Sequence, residues 1–170
     1  MRWLRMSVKC ANLGLGLRDV IAVAAGDAIL LADKARAQDV KQAVDILRQK
    51  NLSQADEFML DYRPWGSFDR LARGERFQVK QIQVKPGAKL SLQSHHHRSE
   101  HWIVVAGTAC VTVNDQVSLI SEGQSIYVPL GAKHRLENPG KVPVILIEVQ
   151  TGRYLEEDDI IRYDDVYARA

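Results

Sequence analysis

The sequence predicts a mainly β chain, a barrel or sandwich of short strands, preceded by a small segment of α/β character. Three observations carry this. Beyond Arg63, apolar and polar residues alternate in short runs, the period of a strand with one buried face. Turn residues punctuate those runs closely, notably Pro86-Gly87, Gly107, Asn114-Asp115, Gly123 and Pro139-Gly140. Ahead of them the period lengthens, and residues 38–48 bring Val40, Ala43, Val44 and Leu47 onto one helical face.

Taken in order, residues 19–23 read as a short buried strand, residues 28–31 as another, and residues 38–48 as the helix. The polar stretch 49–61 reads as a linker, dividing a segment 1–52 from a domain 53–170. Strands are expected over 77–84, 90–95, 101–105, 109–113, 116–120, 125–128 and 144–149. Asn114-Asp115 joins two of them as a hairpin, although the missing glycine argues against a type I′ turn. The acidic tail, 156–165, either covers a sheet edge or is solvated.

Composition narrows the function classes. With 170 residues and a net charge of +2, the chain suits one compact domain plus an appendage. Basic residues are scattered among acidic ones, so no stripe exists to neutralise phosphates and no nucleic-acid partner is expected. Cys10 and Cys110 stand far apart without metal-type spacing, which fits a reducing cytoplasm. The segment 1–17 is partly apolar, but Lys9, Asn12 and its glycines interrupt it, so it is not read as a signal peptide. No run approaches the roughly 18 apolar residues that span a bilayer, and no membrane partner is expected.

The chemistry concentrates in one stretch. All five histidines, His95, His96, His97, His101 and His134, lie within it. Strand alternation points Lys89, Ser91, Gln93, His95 and His97 the same way, a row that a barrel interior must satisfy. Unpaired buried polar groups cost about 1–3 kcal/mol each, and a metal with a polar ligand would satisfy them.

The spacing Gly87, Gln93, His95, Glu100, Gly107, followed by Gly123, Pro129, Gly131, His134, Asn138, resembles the two motifs of the cupin family. That resemblance implies a double-stranded β-helix, or jelly-roll, barrel. It also implies one divalent metal ion held by Gln93, His95, Glu100 and His134. Gln93 departs from the usual histidine, and glutamine there is a feature of phosphomannose isomerases. Two imidazoles, a carboxylate and an amide oxygen suit zinc and are tolerable to cobalt, manganese or iron. His97 shares the parity of His95, so His95 and His97 remain an alternative pair, while His96 and His101 are read as non-ligands.

Longer strings are more specific. Residues 62–67 (YRPWGS), 90–102 (LSLQSHHHRSEHW), 127–140 (YVPLGAKHRLENPG) and 147–160 (IEVQTGRYLEEDDI) resemble the isomerase domain of the bifunctional mannose-1-phosphate guanylyltransferase/mannose-6-phosphate isomerase family. Residues 27–33 (DAILLAD) and 35–40 (ARAQDV) resemble the closing part of that family's nucleotidyltransferase domain. No glycine-rich phosphate loop is present, so guanylyltransferase activity is not expected.

The resemblance implies interconversion of mannose 6-phosphate and fructose 6-phosphate, hence a sugar-phosphate partner. Arg98, two residues before Glu100, is the candidate catalytic cation, against a solvated loop arginine. Glu148 is the candidate base, and Glu156, Glu157 and His101 are weaker candidates for the same role. Lys89, Ser91 and Arg153 are candidate substrate contacts, whereas Lys133 and Arg135 fall on the face opposite His134. A homodimer through sheet edges follows from analogy with cupins. The competing readings are a metal- or sugar-binding cupin without turnover and a cupin enzyme of another class.

Overall fold

The computed structural model describes residues 15–25, 28–55 and 59–167. Cys10 and most of the segment 1–17 lie outside them. The chain divides into two compact units between Met59 and Leu60, later than the boundary expected after residue 52.

In the first unit, β1 (Val20–Ala25) pairs antiparallel with β2 (Ala28–Asp33), and a 3₁₀ turn leads into α1 (Val40–Gln49). The Asp33 side chain accepts from the Ala35 amide and so caps the turn. Val40, Ala43, Val44 and Leu47 form the half-buried helix face that their spacing predicts. The first strand is not buried as expected. Val20, Val23, Ile29 and Leu31 are exposed, because among the described residues β1 pairs only with β2, and a two-stranded sheet does not cover its own faces.

The second unit is a two-sheet barrel. Its strands are β3 (Leu60–Arg63), β4 (Gly66–Gly74), β5 (Phe77–Val84), β6 (Leu92–His95), β7 (Arg98–Ala106) and β8 (Thr108–Val113). They continue with β9 (Gln116–Ser121), β10 (Ser125–Val128), β11 (His134–Glu137), β12 (Val144–Gly152) and β13 (Ile160–Asp164). A six-stranded sheet runs β10-β7-β12-β5-β4-β3, and a five-stranded sheet runs β13-β6-β11-β8-β9. This is the jelly-roll arrangement that the motif spacing implies. The Asn114-Asp115 hairpin forms, with Val113 opposite Gln116, but only Asn114 has positive φ, so the turn is not type I′.

The inner faces change character along single strands. In β5 the inward row runs Val84, Ile82, Lys80, Gln78; in β7, Val104, Trp102, Glu100, Arg98; in β12, Val144, Leu146, Glu148, Gln150, all buried. Register aligns the rows, with Glu148 opposite both Lys80 and Trp102 and Gln150 opposite Glu100. One end of the barrel is therefore an apolar core, joined by Val111, Val128 and Leu136. The other is a buried polar chamber.

Asn138 closes the apolar end. Its Nδ2 donates to the carbonyls of Val84 (3.0 Å) and Val142 (2.8 Å), and its Oδ1 accepts from the Gly140 amide (2.9 Å). The motif asparagine thus ties β5 to the turn before β12. No helix among the described residues is long and apolar enough to cross a membrane. Asn138→Ala should lower stability by about 1–3 kcal/mol, the cost of stranding buried carbonyls; an unchanged denaturant midpoint would refute this role.

Candidate metal centre

Three ligand-type side chains converge in the polar chamber. His95 comes from the end of β6, Glu100 from β7 and His134 from the start of β11, and their nearest ligand atoms all lie within 4.8 Å of one another. His95 Nε2 is 3.1 Å from Glu100 Oε1, and His134 Nε2 is 3.5 Å from Glu100 Oε2. Donor atoms around a four- or six-coordinate ion with bonds near 2.1 Å sit about 3.0–3.4 Å apart, so these separations suit one shared cation.

Protonation agrees with that fit. His134 Nδ1 donates to the Ala132 carbonyl (2.9 Å), which leaves Nε2 as the free lone pair facing Glu100. Burial holds the His134 pKa below its ordinary value, favouring neutral imidazole. Burial alone would raise Glu100, but the His95 and His134 rings and the Arg98 guanidinium outweigh it and keep the carboxylate ionised. Although His95 Nε2 is close to Glu100, its direction is wrong for a hydrogen bond. Both His95 nitrogens and His134 Nε2 are buried without hydrogen-bond partners. Buried orphans that face a carboxylate are what a cation would satisfy.

Gln93 lies across from His134 in the β6–β11 pair and lines a cavity that Glu100 also lines, where its Oε1 accepts from Ser91 Oγ at 2.9 Å. His97 turns outward: its Nδ1 meets Asp159 Oδ1 at 2.7 Å, which removes the His95–His97 ligand pair. His96 and His101 are exposed.

The two ligand segments are held by backbone. The Gly131 amide donates to the His95 carbonyl (2.9 Å), joining β6 to the turn before His134, and the positive φ of 76° at Gly131 suits glycine. Asp159 accepts from the amides of His96 (3.3 Å) and His97 (3.2 Å) as well as from the His97 ring, pinning the turn between His95 and Glu100. Gly152 packs under that turn, where a Cβ would lie 2.2 Å from the His97 carbonyl oxygen.

Around Glu100 the hydrogen bonds are shared with Glu148. Trp102 Nε1 donates to Glu100 Oε2 (3.1 Å) and Glu148 Oε1 (3.2 Å); Gln150 Nε2 donates to Glu100 Oε1 (3.1 Å) and Glu148 Oε2 (2.9 Å). Burial and the neighbouring Glu100 charge push the Glu148 carboxyl up to about 8. Arg98 is 2% exposed, not a solvated loop residue; its Nε lies 3.4 Å from Glu100 Oε1 and its Nη1 donates to the Glu156 carbonyl (2.9 Å).

A cavity of about 160 Å³ is lined by Gln93, Arg98, Glu100, Glu148 and Gln150 together with Arg63, Lys80, Ser91, Glu157 and Arg162, while His95, His134 and Trp102 are not part of its lining. That is below the roughly 300–1,000 Å³ of drug-sized pockets and suits a small polar ligand. Two expected substrate contacts lie elsewhere. Lys89 is held in an isolated bridge to Glu137 outside the lining, because regular alternation begins only at Leu92. Arg153 is exposed, its backbone amide donating to the His97 carbonyl while its side chain stays outside the cavity. The two glutamates that follow β12, read as weaker candidate bases, are engaged as ion-pair partners, Glu156 with Arg73 and Glu157 with Lys80.

Sequence reasoning missed Lys80, Trp102, Gln150, Asp159 and Arg162. A signal for Lys80 existed: it shares the parity of Ile82 and Val84 in a strand that alternation alone identifies. Gln150 follows Glu148 by the same rule.

Comparison with known proteins fits this geometry. The family described as "Mannose-6-phosphate isomerase C-terminal" matches residues 50–165. The chain belongs to this family. Residues 13–47 match a second family, described as "MannoseP isomerase/GMP-like beta-helix domain". Among curated relatives, the chain is 53% identical over 155 residues to "Mannose-1-phosphate guanylyltransferase ManC" of Salmonella typhimurium, covering 91% of this chain and 32% of the relative. It is 55% identical over 155 residues to "Alginate biosynthesis protein AlgA" of Pseudomonas aeruginosa, again 91% and 32%. The chain thus spans about a third of the length of the curated relatives it matches. Solved structures resemble it in fold. TT1209 from Thermus thermophilus aligns with a TM-score of 0.52 and 22% identity over 56% of this chain and 92% of that one. An RmlC-like cupin from Shewanella frigidimarina aligns with 0.52 and 24%, over 58% and 86%.

His95→Ala and His134→Ala should abolish stoichiometric binding of zinc while His96→Ala retains it, as read by elemental analysis after dialysis. Asp159→Asn should weaken metal affinity about tenfold through the loosened turn. A pH signature is expected in metal-free protein. Glu148 binds its proton more tightly folded than unfolded, so its contribution is complete below about 4.5 and is lost as pH rises through about 8. His134, with a lowered pKa, acts in the opposite sense below its ordinary value of 6.5. Between pH 6.5 and 8, wild type should therefore lose stability relative to Glu148→Gln, and parallel denaturation midpoints over that window would rule the assignment out.

Proposed function

We propose that this chain is a metal-dependent aldose–ketose isomerase acting on mannose 6-phosphate and fructose 6-phosphate. The observation that carries the reading is Glu148, a buried carboxyl poised to exchange a proton near neutrality and hydrogen-bonded through shared donors to the ligand carboxylate Glu100. Family membership supports the reaction class, and relatives named for mannose 1-phosphate, alginate and xanthan support mannose as the sugar.

Isomerisation moves one proton between carbons 1 and 2. In its ionised form Glu148 takes the proton from carbon 2 of the aldose and returns it to carbon 1, passing through an enediolate of the substrate in which the hydroxyl proton of oxygen 2 moves to oxygen 1, so that the ketone is left at carbon 2. Trp102 and Gln150 fix its two oxygens, so the base meets the sugar from one direction. Arg98 presents a permanent positive charge beside Glu100, where the substrate oxygens gain negative charge. The centre of His95, Glu100 and His134, with Gln93 beside it, holds a divalent cation, most suitably zinc, which supplies electrostatic polarisation of those oxygens. The apolar rows behind the chamber close one end of the barrel against water.

Purified chain should form fructose 6-phosphate from mannose 6-phosphate, lose activity to a chelator and regain it with zinc or cobalt. Glu148→Gln should cut kcat by about 10²–10⁴ with metal content intact. Absence of turnover with every divalent ion tried, in protein whose metal content is stoichiometric, would leave a sugar- or metal-binding barrel as the function.

A further inference from the structure

The cavity holds four cations, Arg63, Lys80, Arg98 and Arg162, against three carboxyls, Glu100, Glu148 and Glu157. Three of the four are engaged. Lys80 Nζ lies 3.1 Å from Glu157 Oε1, Arg63 Nη2 lies 2.8 Å from Asp61 Oδ2, and Arg98 serves Glu100 and the Glu156 carbonyl. Arg162 is different. Its Nε is buried without a hydrogen-bond partner, and no ion pair engages it among the described residues.

Its place in the fold is defined by register. Arg162 stands opposite Gln93 in the β13–β6 pair, and Gln93 stands opposite His134 in the β6–β11 pair. The three lie in a row across the five-stranded sheet, two strand spacings or about 10 Å from end to end at the backbone. Ile160, two residues before Arg162, lines the cavity too, so β13 turns this face inward. An anion bound by Arg162 would share the cavity with Gln93 and Glu100, with His134 two strands away from Arg162 at the backbone.

We infer that Arg162 is the phosphate-recognition residue of this site, its guanidinium binding the phosphomonoester of the substrate while the sugar carbons reach the Glu148 end. This rests on the isomerase reading for the identity of the sugar. An uncommitted guanidinium in a cavity with excess positive charge fits a dianion, and its planar fork matches phosphate oxygens two at a time. Lys80 and Arg63, on the opposite sheet, add field without leaving their own partners.

The test uses the full chain loaded with zinc, comparing wild type with Arg162→Gln and Arg162→Lys. Calorimetric titration with inorganic phosphate and with mannose 6-phosphate should show affinity falling at least tenfold in Arg162→Gln. Arg162→Lys should lie between, since it keeps charge but loses the fork. Binding of unphosphorylated mannose, zinc content and thermal midpoint should not change. In turnover, KM for mannose 6-phosphate should rise at least tenfold with kcat changed less than threefold. Equal phosphate affinity in wild type and Arg162→Gln, or no phosphate binding by wild type, overturns the assignment. A wild type that binds phosphate through Arg162 without turning over mannose 6-phosphate keeps the subsite and discards the isomerase. Turnover with KM indifferent to Arg162 does the reverse.

Discussion

Glu100 is the constraint on which the chamber depends. A carboxylate 1% exposed is costly unless its charge is answered locally, and Trp102, Gln150 and Arg98 answer it, while the unused histidine nitrogens facing it call for a cation. Trp102 and Gln150 donate to its oxygens, Arg98 lies beside it, and the His95 and His134 rings face it with unused nitrogens. Because the same two donors also hold Glu148, the ionised state of one carboxyl raises the proton affinity of the other. The candidate metal centre and the Glu148 carboxyl are thus a single electrostatic unit.

Such a unit needs a rigid enclosure, and the barrel supplies it by dividing each inward row. Val84, Val104, Val144 and Leu146 pack one end, and Lys80, Glu100, Arg98, Glu148 and Gln150 occupy the other on the same strands. Apolar burial at one end stabilises a framework that can hold several buried charges at the other. The turn pinned by Asp159 and the Gly131–His95 hydrogen bond carry that rigidity to the ligands themselves.

Much of this was legible in the sequence. Strands over 77–84 and 125–128 coincide with β5 and β10, since alternation with clear turn residues marks both ends. Four strands were not legible: β3 and β11 with only four residues each, the nine-residue β4, and β13, whose acidic stretch left edge-covering and solvation open and which pairs with β6 at the edge of the five-stranded sheet. His95, Glu100 and His134 were nominated by the resemblance of their glycine-anchored spacing to the two cupin motifs, and the structure brings the three together.

What the sequence by itself determined is the local chemistry: the β class, the two motifs with His95, Glu100 and His134 in them, and the parity that places Arg98 on the face of Glu100. Only the tertiary structure decided which residues from different strands meet. Cross-strand register places Trp102 and Gln150 on both carboxyls, sends His97 to Asp159, leaves Lys89 and Arg153 outside the cavity and brings Arg162 into it. Alternation says which way a side chain points, but register between distant strands is set by packing of the whole barrel, and no local pattern contains it.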